Sequence, residues 1–434
     1  MKVLVYAYGS RGDVQPYLAL ARGLNEAGHT ATLTAPAVFA GMAAEHGVSF
    51  LPWSTEWLDM IERPEVREMV MHDDKPTEEM KQVRRLMVET YRRIYPAQLA
   101  HIQATADEKP DLIVHSQAWG EGVRQVAEKL GVPNVLGAMY PYYVHSSYYP
   151  SGVLATLEMR RRWRNRLSHF LTDRFMPHPK VKGMVREWRE RELGLPRVSR
   201  SGDFRLRSDG SRTPILHAFS PHLVTPAPDW PSWVRTTGFW RLRSTGDWTP
   251  PAELTRFLAD GEKPVFVGFG SVKGTDPAGT GAAVLAAVRA AGVRAVVVRG
   301  WGGIDLTVDD PSVHVVDDVP YEWLFPRVRL VVHSGGAGTV NTALAAGVPQ
   351  VSCPYHGEQM RWARRLHALG VGPEPIRQRD LTADNLAAAI RVALTVPGYA
   401  EEAARLGGLV AAEDGVGAAV AAVERIGAGQ PVAG

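Results

Sequence analysis

Short apolar runs along this chain alternate with stretches whose apolar residues recur at helical spacing. Residues 3–8 read as a buried strand stopped by Gly9. Asp13 stands where a helix N-cap would, and Pro16 falls in the first turn, where proline is tolerated. Leu18, Leu20, Leu24 and Ala27 then mark a helix over 15–27, ended by Gly28. Residues 31–33 predict the next strand and 37–46 the next helix. Further strands are expected at 111–115, 132–136 and 214–218. Two inserts break the rhythm. Residues 62–108 are helical and charged, and 150–195 are helical and rich in Arg and Trp. Inserts between strand ends and crossover helices line the binding face of a parallel sheet.

Residues 219–250 are rich in Pro, Trp, Thr and Ser and lack helical period. The alternation then restarts, with strands at 265–269, 294–298, 313–316, 330–333 and 350–352. Helices are expected at 278–291, 337–346, 357–369, 381–394, 398–411 and 414–427. Strands alternating with helices argue an α/β fold of parallel sheets with crossovers. The division expected is two Rossmann-like, doubly wound domains, 1–220 and 246–412, facing each other across a cleft. A linker at 221–245 joins them, and 413–434 forms a last helix and tail.

The length of 434 residues agrees with two domains. A hydrophobic share of 45% and a charged share of 22% exclude wholesale disorder. The net charge of +3 is too mild to point to nucleic acid, and no such partner is expected. A lone cysteine, Cys353, excludes an internal disulfide and a cysteine-based zinc cluster. The opening apolar run is too short for a signal peptide, and no stretch reads as the roughly 18 apolar residues of a membrane span. A cytoplasmic protein is expected.

The sharpest chemical signal is His333-Ser334-Gly335-Gly336-Ala337-Gly338-Thr339, after an apolar strand and at the start of a helix. Bare glycines let the backbone approach an anion, and the first helical amides point at it with the positive end of the dipole. His333 and Thr339 add side-chain donors. No Gly-Lys-Ser/Thr follows, so this is not a Walker loop, and it lies too late in its domain for the usual dinucleotide fingerprint. Some twenty residues on, Pro354-Tyr355-His356-Gly357-Glu358-Gln359 pairs an acid with an amide at another strand end. That pair suits sugar hydroxyls, and equally the capping of a helix.

These residues, in this order, resemble family 1 nucleotide-sugar glycosyltransferases of the GT-B fold. The likeness is to the actinomycete natural-product (vancomycin-group) and sterol glucosyltransferase branch. It rests on Gly9-Ser10-Arg11-Gly12-Asp13, the 333–339 loop and the 354–359 block. It implies an inverting, metal-independent transferase, with no cofactor beyond its donor. A hexose would pass from a UDP- or TDP-sugar to a hydroxyl of a lipophilic, natural-product-like small molecule. A membrane lipid or sterol acceptor is the alternative, and a non-catalytic auxiliary protein of the same fold is another. The resemblance implies that His333 and the amides of Gly335, Gly336, Ala337, Gly338 and Thr339 hold the donor diphosphate. Ser271 would lie beside it, and Trp301 and Val319 would meet the base. Glu358 and Gln359 would bind the sugar, and Ser10 and Arg11 would touch the phosphates or acceptor. The family commonly has Asp where Glu358 stands, and many members have a second Thr where Val340 stands.

By the same resemblance Asp13 is the general base, in Asp13-Val14-Gln15-Pro16, where other members carry His. Ser116 stands where the partner of such a His would be, and a carboxylate base needs no second carboxylate. Tyr140, Tyr142, Tyr143, Tyr148 and Tyr149 gather after a strand. With His145 they read as an acceptor wall, since aromatic rings suit a flat apolar ligand. Arg160-Arg161-Arg162-Trp163-Arg164-Asn165-Arg166 reads as a solvated helix face, with membrane contact as the less favoured reading. A monomer or homodimer is expected.

Overall fold

The computed structural model describes residues 1–71, 78–152, 161–175, 179–198, 203, 205–207, 209–244, 246, 248–270, 274–300, 303–355 and 357–432. Two compact units emerge, each built on one purely parallel sheet. The first sheet holds β1 (Lys2–Tyr6), β2 (Thr30–Pro36), β3 (Ser49–Trp53), β4 (Leu112–His115), β5 (Asn134–Ala138), β6 (Ile215–His217) and β7 (Val234–Thr236). Its order is β3-β2-β1-β4-β5-β6-β7. The second holds β8 (Val265–Gly268), β9 (Ala295–Val298), β10 (Val313–Val316), β11 (Leu330–His333) and β12 (Gln350–Ser352). Its order is β10-β9-β8-β11-β12. The central strands β1, β4, β8 and β11 are almost wholly buried, as a sheet covered on both faces by helices requires.

Two edge strands, β3 and β7, were not expected from the sequence. Pro52 lies within β3 and cannot donate to a ladder, which an edge position tolerates. The three residues of β7 sit inside the stretch read as linker. They pair with β6, and nearby Trp240 is buried against Tyr17 at a ring separation of 5.5 Å. The first unit is Met1–Ile61, Lys81–Leu242 and Asp414–Gly434, and the second is Glu62–Met80 and Arg243–Glu413. Most of the 221–245 stretch therefore belongs to the first unit, and so does the tail.

The tail returns because helix Gly415–Gly427 carries an apolar face that needs cover. Ala419, Val420, Ala422, Val423 and Ile426 share one core cluster with Val14, Leu18 and Leu24 of helix Arg11–Glu26. Gly23 permits the approach: a β-carbon there would stand 2.3 Å from Val416 Cγ1. Pro397–Gly427 as a whole meets the length and apolarity of a membrane span, against the sequence expectation. It is nonetheless two helices, Pro397–Ala411 and Gly415–Gly427, and Asp414 caps the second by accepting the Gly417 N–H at 2.9 Å. Val423→Asp places an unpaired carboxylate in that seam and should cost about 3 kcal/mol or more, read as an earlier denaturant midpoint for the first unit.

Candidate functional site

Parallel strands deliver their carboxyl ends to one edge, and ligands of such sheets bind there, where neighbouring connections diverge. In the first sheet that switch lies between β1 and β4. Helix Arg11–Glu26 begins two residues before Asp13, with Ser10 as N-cap. Asp13 is therefore not the N-cap expected from the sequence but the third helical residue. Its Oδ2 accepts the Ser10 N–H at 2.8 Å and the Ser10 hydroxyl at 2.9 Å. A carboxylate satisfies these first-turn donors and sits at the positive end of the dipole. Gly9, at φ +143°, is bare because a β-carbon there would lie 2.4 Å from that same oxygen. Pro16 lies inside the helix, past the first turn. Arg11 Nε donates to Gln15 Oε1 at 3.2 Å, along the helix.

Tyr17 hangs below Asp13 and donates to the Gly137 carbonyl at 2.7 Å. Burial pushes its phenol well above the usual value, and Tyr143 and Asp13 add to the shift by their charge. Tyr17 therefore feels both of these predicted site residues. Tyr140 and Tyr142 stack on each other at 5.4 Å. The loop they sit in continues to Ser146 and Ser147, whose hydroxyls donate to Asp229 at 2.8 and 2.7 Å. His145 points elsewhere: it is exposed, and its ring lies 5.0 Å from that of His169.

At the end of β4, His115 is fully buried, its Nδ1 2.8 Å from the Ser116 carbonyl. What the sequence did not reveal is Trp119, which follows at φ +60°, a left-handed conformation uncommon for a bulky residue. Its ring stacks on Tyr91 at 5.1 Å and lies edge-on to Tyr8 at 5.8 Å. Trp53 and Tyr95 complete the aromatic cluster. Four separate segments supply these rings, so no local pattern announces them. The one available signal is a tryptophan four residues beyond a strand end.

In the second sheet the switch lies between β8 and β11. There the 333–339 loop leaves β11 and enters helix Ala337–Ala345, whose N-cap is Gly336. Gly336 has no side chain with which to cap that helix, so among the described residues its first amides stay open to a ligand. Ala337, Gly338 and Thr339 are half-buried, and a β-carbon on Gly336 or Gly338 would meet nothing within 4 Å. Gly335 is different: at φ +87° its β-carbon would come within 2.8 Å of the Gln359 carbonyl. The Gly335 N–H donates to His333 Nδ1 at 2.8 Å, which leaves the ring proton on Nε2. That Nε2 is buried without a well-aligned hydrogen-bond partner among the described residues. The Ser334 hydroxyl donates to the Phe269 carbonyl at 3.1 Å and ties this loop to the one after β8.

Gln359 stands beside the loop, but its amide oxygen accepts the Tyr355 N–H at 2.8 Å, so one polar end is committed to shaping the turn. Glu358 lies in the first turn of helix Gly357–Ala368, half-exposed and 3.9 Å from Arg361. Val319 is buried with Phe266 and Phe325, which leaves its backbone as the part that could meet a base. Val340 is fully buried too, so a hydroxyl at this position would point into the core and not toward the loop. Ser271 and Trp301 lie outside the described residues.

Comparisons with known proteins bear on the family and the fold. Residues 3–148 match the glycosyltransferase family 28 N-terminal domain. Residues 294–422 match the C-terminal domain of erythromycin biosynthesis protein CIII-like proteins. Sterol 3-beta-glucosyltransferase UGT80B1 of Arabidopsis thaliana is 31% identical over 98% of this chain and 68% of its own length. Sterol 3-beta-glucosyltransferase of Emericella nidulans is 30% identical over 98% of this chain, which spans only 30% of that protein. Among solved structures, glycosyltransferase VinC in complex with DTDP aligns over 99% of this chain and all of its own, with a TM-score of 0.67 at 19% identity. That likeness supports the GT-B fold.

Three buried histidines at strand ends carry a pH dependence. Burial pushes His115 and His333 down to about 4 and His217 to about 3. Gln350 and the Ser116 carbonyl oppose the shift only in part, at His333 and His115 respectively. Below pH 6.5 the unfolded chain takes up protons that these neutral rings refuse, so stability falls as pH drops from 6.5 toward 4. Each ring should cost about 2 kcal/mol between pH 6.5 and 5. Urea unfolding at pH 7.5 and 5 should show this loss, and His217→Gln should reduce it by about one-third.

Proposed function

We infer an activity from one premise: this chain belongs to the glycosyltransferase family that includes the sterol 3-beta-glucosyltransferases. It transfers a hexose from a UDP- or TDP-sugar to a hydroxyl of a lipophilic small molecule, with inversion and without a metal. The observation that carries this reading is the uncapped helix start at Ala337 behind the bare loop of Gly335 and Gly336. Such an arrangement takes a diphosphate on backbone amides, which removes the need for a cation. His333 Nε2 supplies a further donor, buried and without a well-aligned partner among the described residues.

In the step itself the acceptor oxygen bonds to the anomeric carbon as the bond from that carbon to the diphosphate breaks. The proton of the acceptor passes to Asp13. The Ser10 N–H and hydroxyl hold Asp13 Oδ2, which fixes the carboxylate that takes the proton. The electron pair of the broken bond departs with the nucleoside diphosphate. The amides of Ala337, Gly338 and Thr339 stabilise the charge it gains. Glu358 and the amide nitrogen of Gln359 bind the sugar. In the first unit Tyr140, Tyr142 and Tyr143 face the acceptor, with the ring cluster around Trp119 as its apolar wall. Acceptors of the sterol class are favoured by the relatives' own substrates.

Asp13→Asn keeps an oxygen to accept from Ser10 and so keeps the helix start. It should cut turnover about 100-fold to 10,000-fold while leaving nucleotide affinity nearly unchanged. Calorimetric titration with UDP, TDP and UDP-glucose beside a turnover assay checks both, and undiminished turnover would remove Asp13 from the base role. His333→Ala should weaken diphosphate binding roughly tenfold, in buffer containing EDTA as much as in buffer without it. A requirement for added divalent metal would overturn the metal-free reading.

A further inference from the structure

Helix Arg162–Phe175 is folded with its polar face inward. Asn165, Ser168 and His169 are buried. Each is hydrogen-bonded to the domain beneath: Asn165 Nδ2 donates to the Ser147 carbonyl at 2.9 Å, the Ser151 N–H donates to Ser168 Oγ at 2.9 Å, and His169 Nε2 donates to the Tyr149 carbonyl at 3.0 Å. The Ser151 and Thr172 hydroxyls meet at 2.6 Å. A surface helix normally hides its apolar stripe and shows its polar one. Here the reverse holds. Trp163, Leu167 and Phe170, spaced at i, i+4 and i+7 on one stripe, are 57%, 42% and 63% exposed.

Nine large apolar side chains stand exposed among the described residues. Three are on this helix, and a fourth, Tyr148, lies under the Arg162 guanidinium at 4.3 Å. Arginines rim the stripe. At about 100° per residue, Arg164 falls on one flank and Arg162 and Arg166 on the other, with Arg161 just before the first turn. All four are exposed, and among the described residues none is in an ion pair. Arg164 stays with the stripe, 5.5 Å from the Trp163 ring.

We propose that this face docks on a lipid bilayer carrying anionic headgroups. Aromatic and aliphatic side chains ringed by arginine suit the boundary between acyl chains and headgroups, where the rings insert and the guanidinium groups meet phosphate. Charge decides against a second copy of the chain, since a two-fold contact through this face would set four arginines against four. The polar anchors tie the inverted helix to the domain, so the docking residues are presented outward without unfolding. The proposal stands apart from the transfer reaction, because its readout is partition onto vesicles.

Co-sedimentation of the full chain with vesicles of phosphatidylcholine, with and without about one-third phosphatidylglycerol, tests it. Binding should favour the anionic vesicles and fall as salt rises. R162Q/R164Q/R166Q should lower that binding roughly a hundredfold, at about fivefold per arginine. W163S/L167S/F170S should lower it at least about tenfold while nucleotide affinity, the check on folding, is retained. Should the triple variant misfold, the single W163S variant serves, with a smaller fall expected. Equal partition of the parent and both variants would overturn the proposal. So would no binding of the parent to either vesicle, or a dimer that W163S/L167S/F170S converts to monomer with vesicle binding unchanged.

Discussion

Every strand in both sheets runs parallel, so each unit must place its chemistry where two connections part at the carboxyl edge. In the first unit that point is β1 beside β4, and in the second it is β8 beside β11. The loops leaving these strands cannot be ordinary. Gly9 must be bare because Asp13 lies over it, and Gly335 must be bare because the Gln359 carbonyl lies against it. A side chain at either place would push away the group it now supports. The carboxylate of one unit and the open amides of the other thus follow from two missing β-carbons.

The histidines at these edges are part of the same architecture. His115, His217 and His333 each terminate a strand, and each is held neutral by burial. His333 shapes its loop through a hydrogen bond at Nδ1, and its Nε2 lacks an aligned partner among the described residues. His217 Nε2 also lacks one among the described residues, but that ring is packed between Phe219 and Trp230. Residue type and nitrogen partners do not separate these roles, but the surroundings of each ring do.

Much of the fold was legible because long apolar runs bounded by glycine or proline have one reading. Strands β10, β11 and β12 fall where the pattern puts them. The losses are at sheet edges, where a strand needs few apolar residues: β3 contains a proline and β7 has three residues. The strand-to-helix loop at 333–339 was legible because its glycines and flanking apolar runs are local. Asp13 was found, yet its place in the helix was misread, because Ser10 competes for the cap three residues earlier. The ring cluster around Trp119 and the outward face of Trp163, Leu167 and Phe170 depend on what lies beside them in space. Helical spacing can put these three on one stripe but cannot say which way that stripe turns.

The return of Asp414–Gly434 to the first unit has a consequence for synthesis. A ribosome makes this segment after every residue of the second unit, and it carries the side chains that close the core over helix Arg11–Glu26. The second unit, whose residues are all made by Glu413, has everything it needs before the first does. Domains usually mature in the order they emerge. Here the order is reversed. The nascent first unit must wait, with Val14, Leu18 and Leu24 uncovered, until helix Gly415–Gly427 has left the exit tunnel.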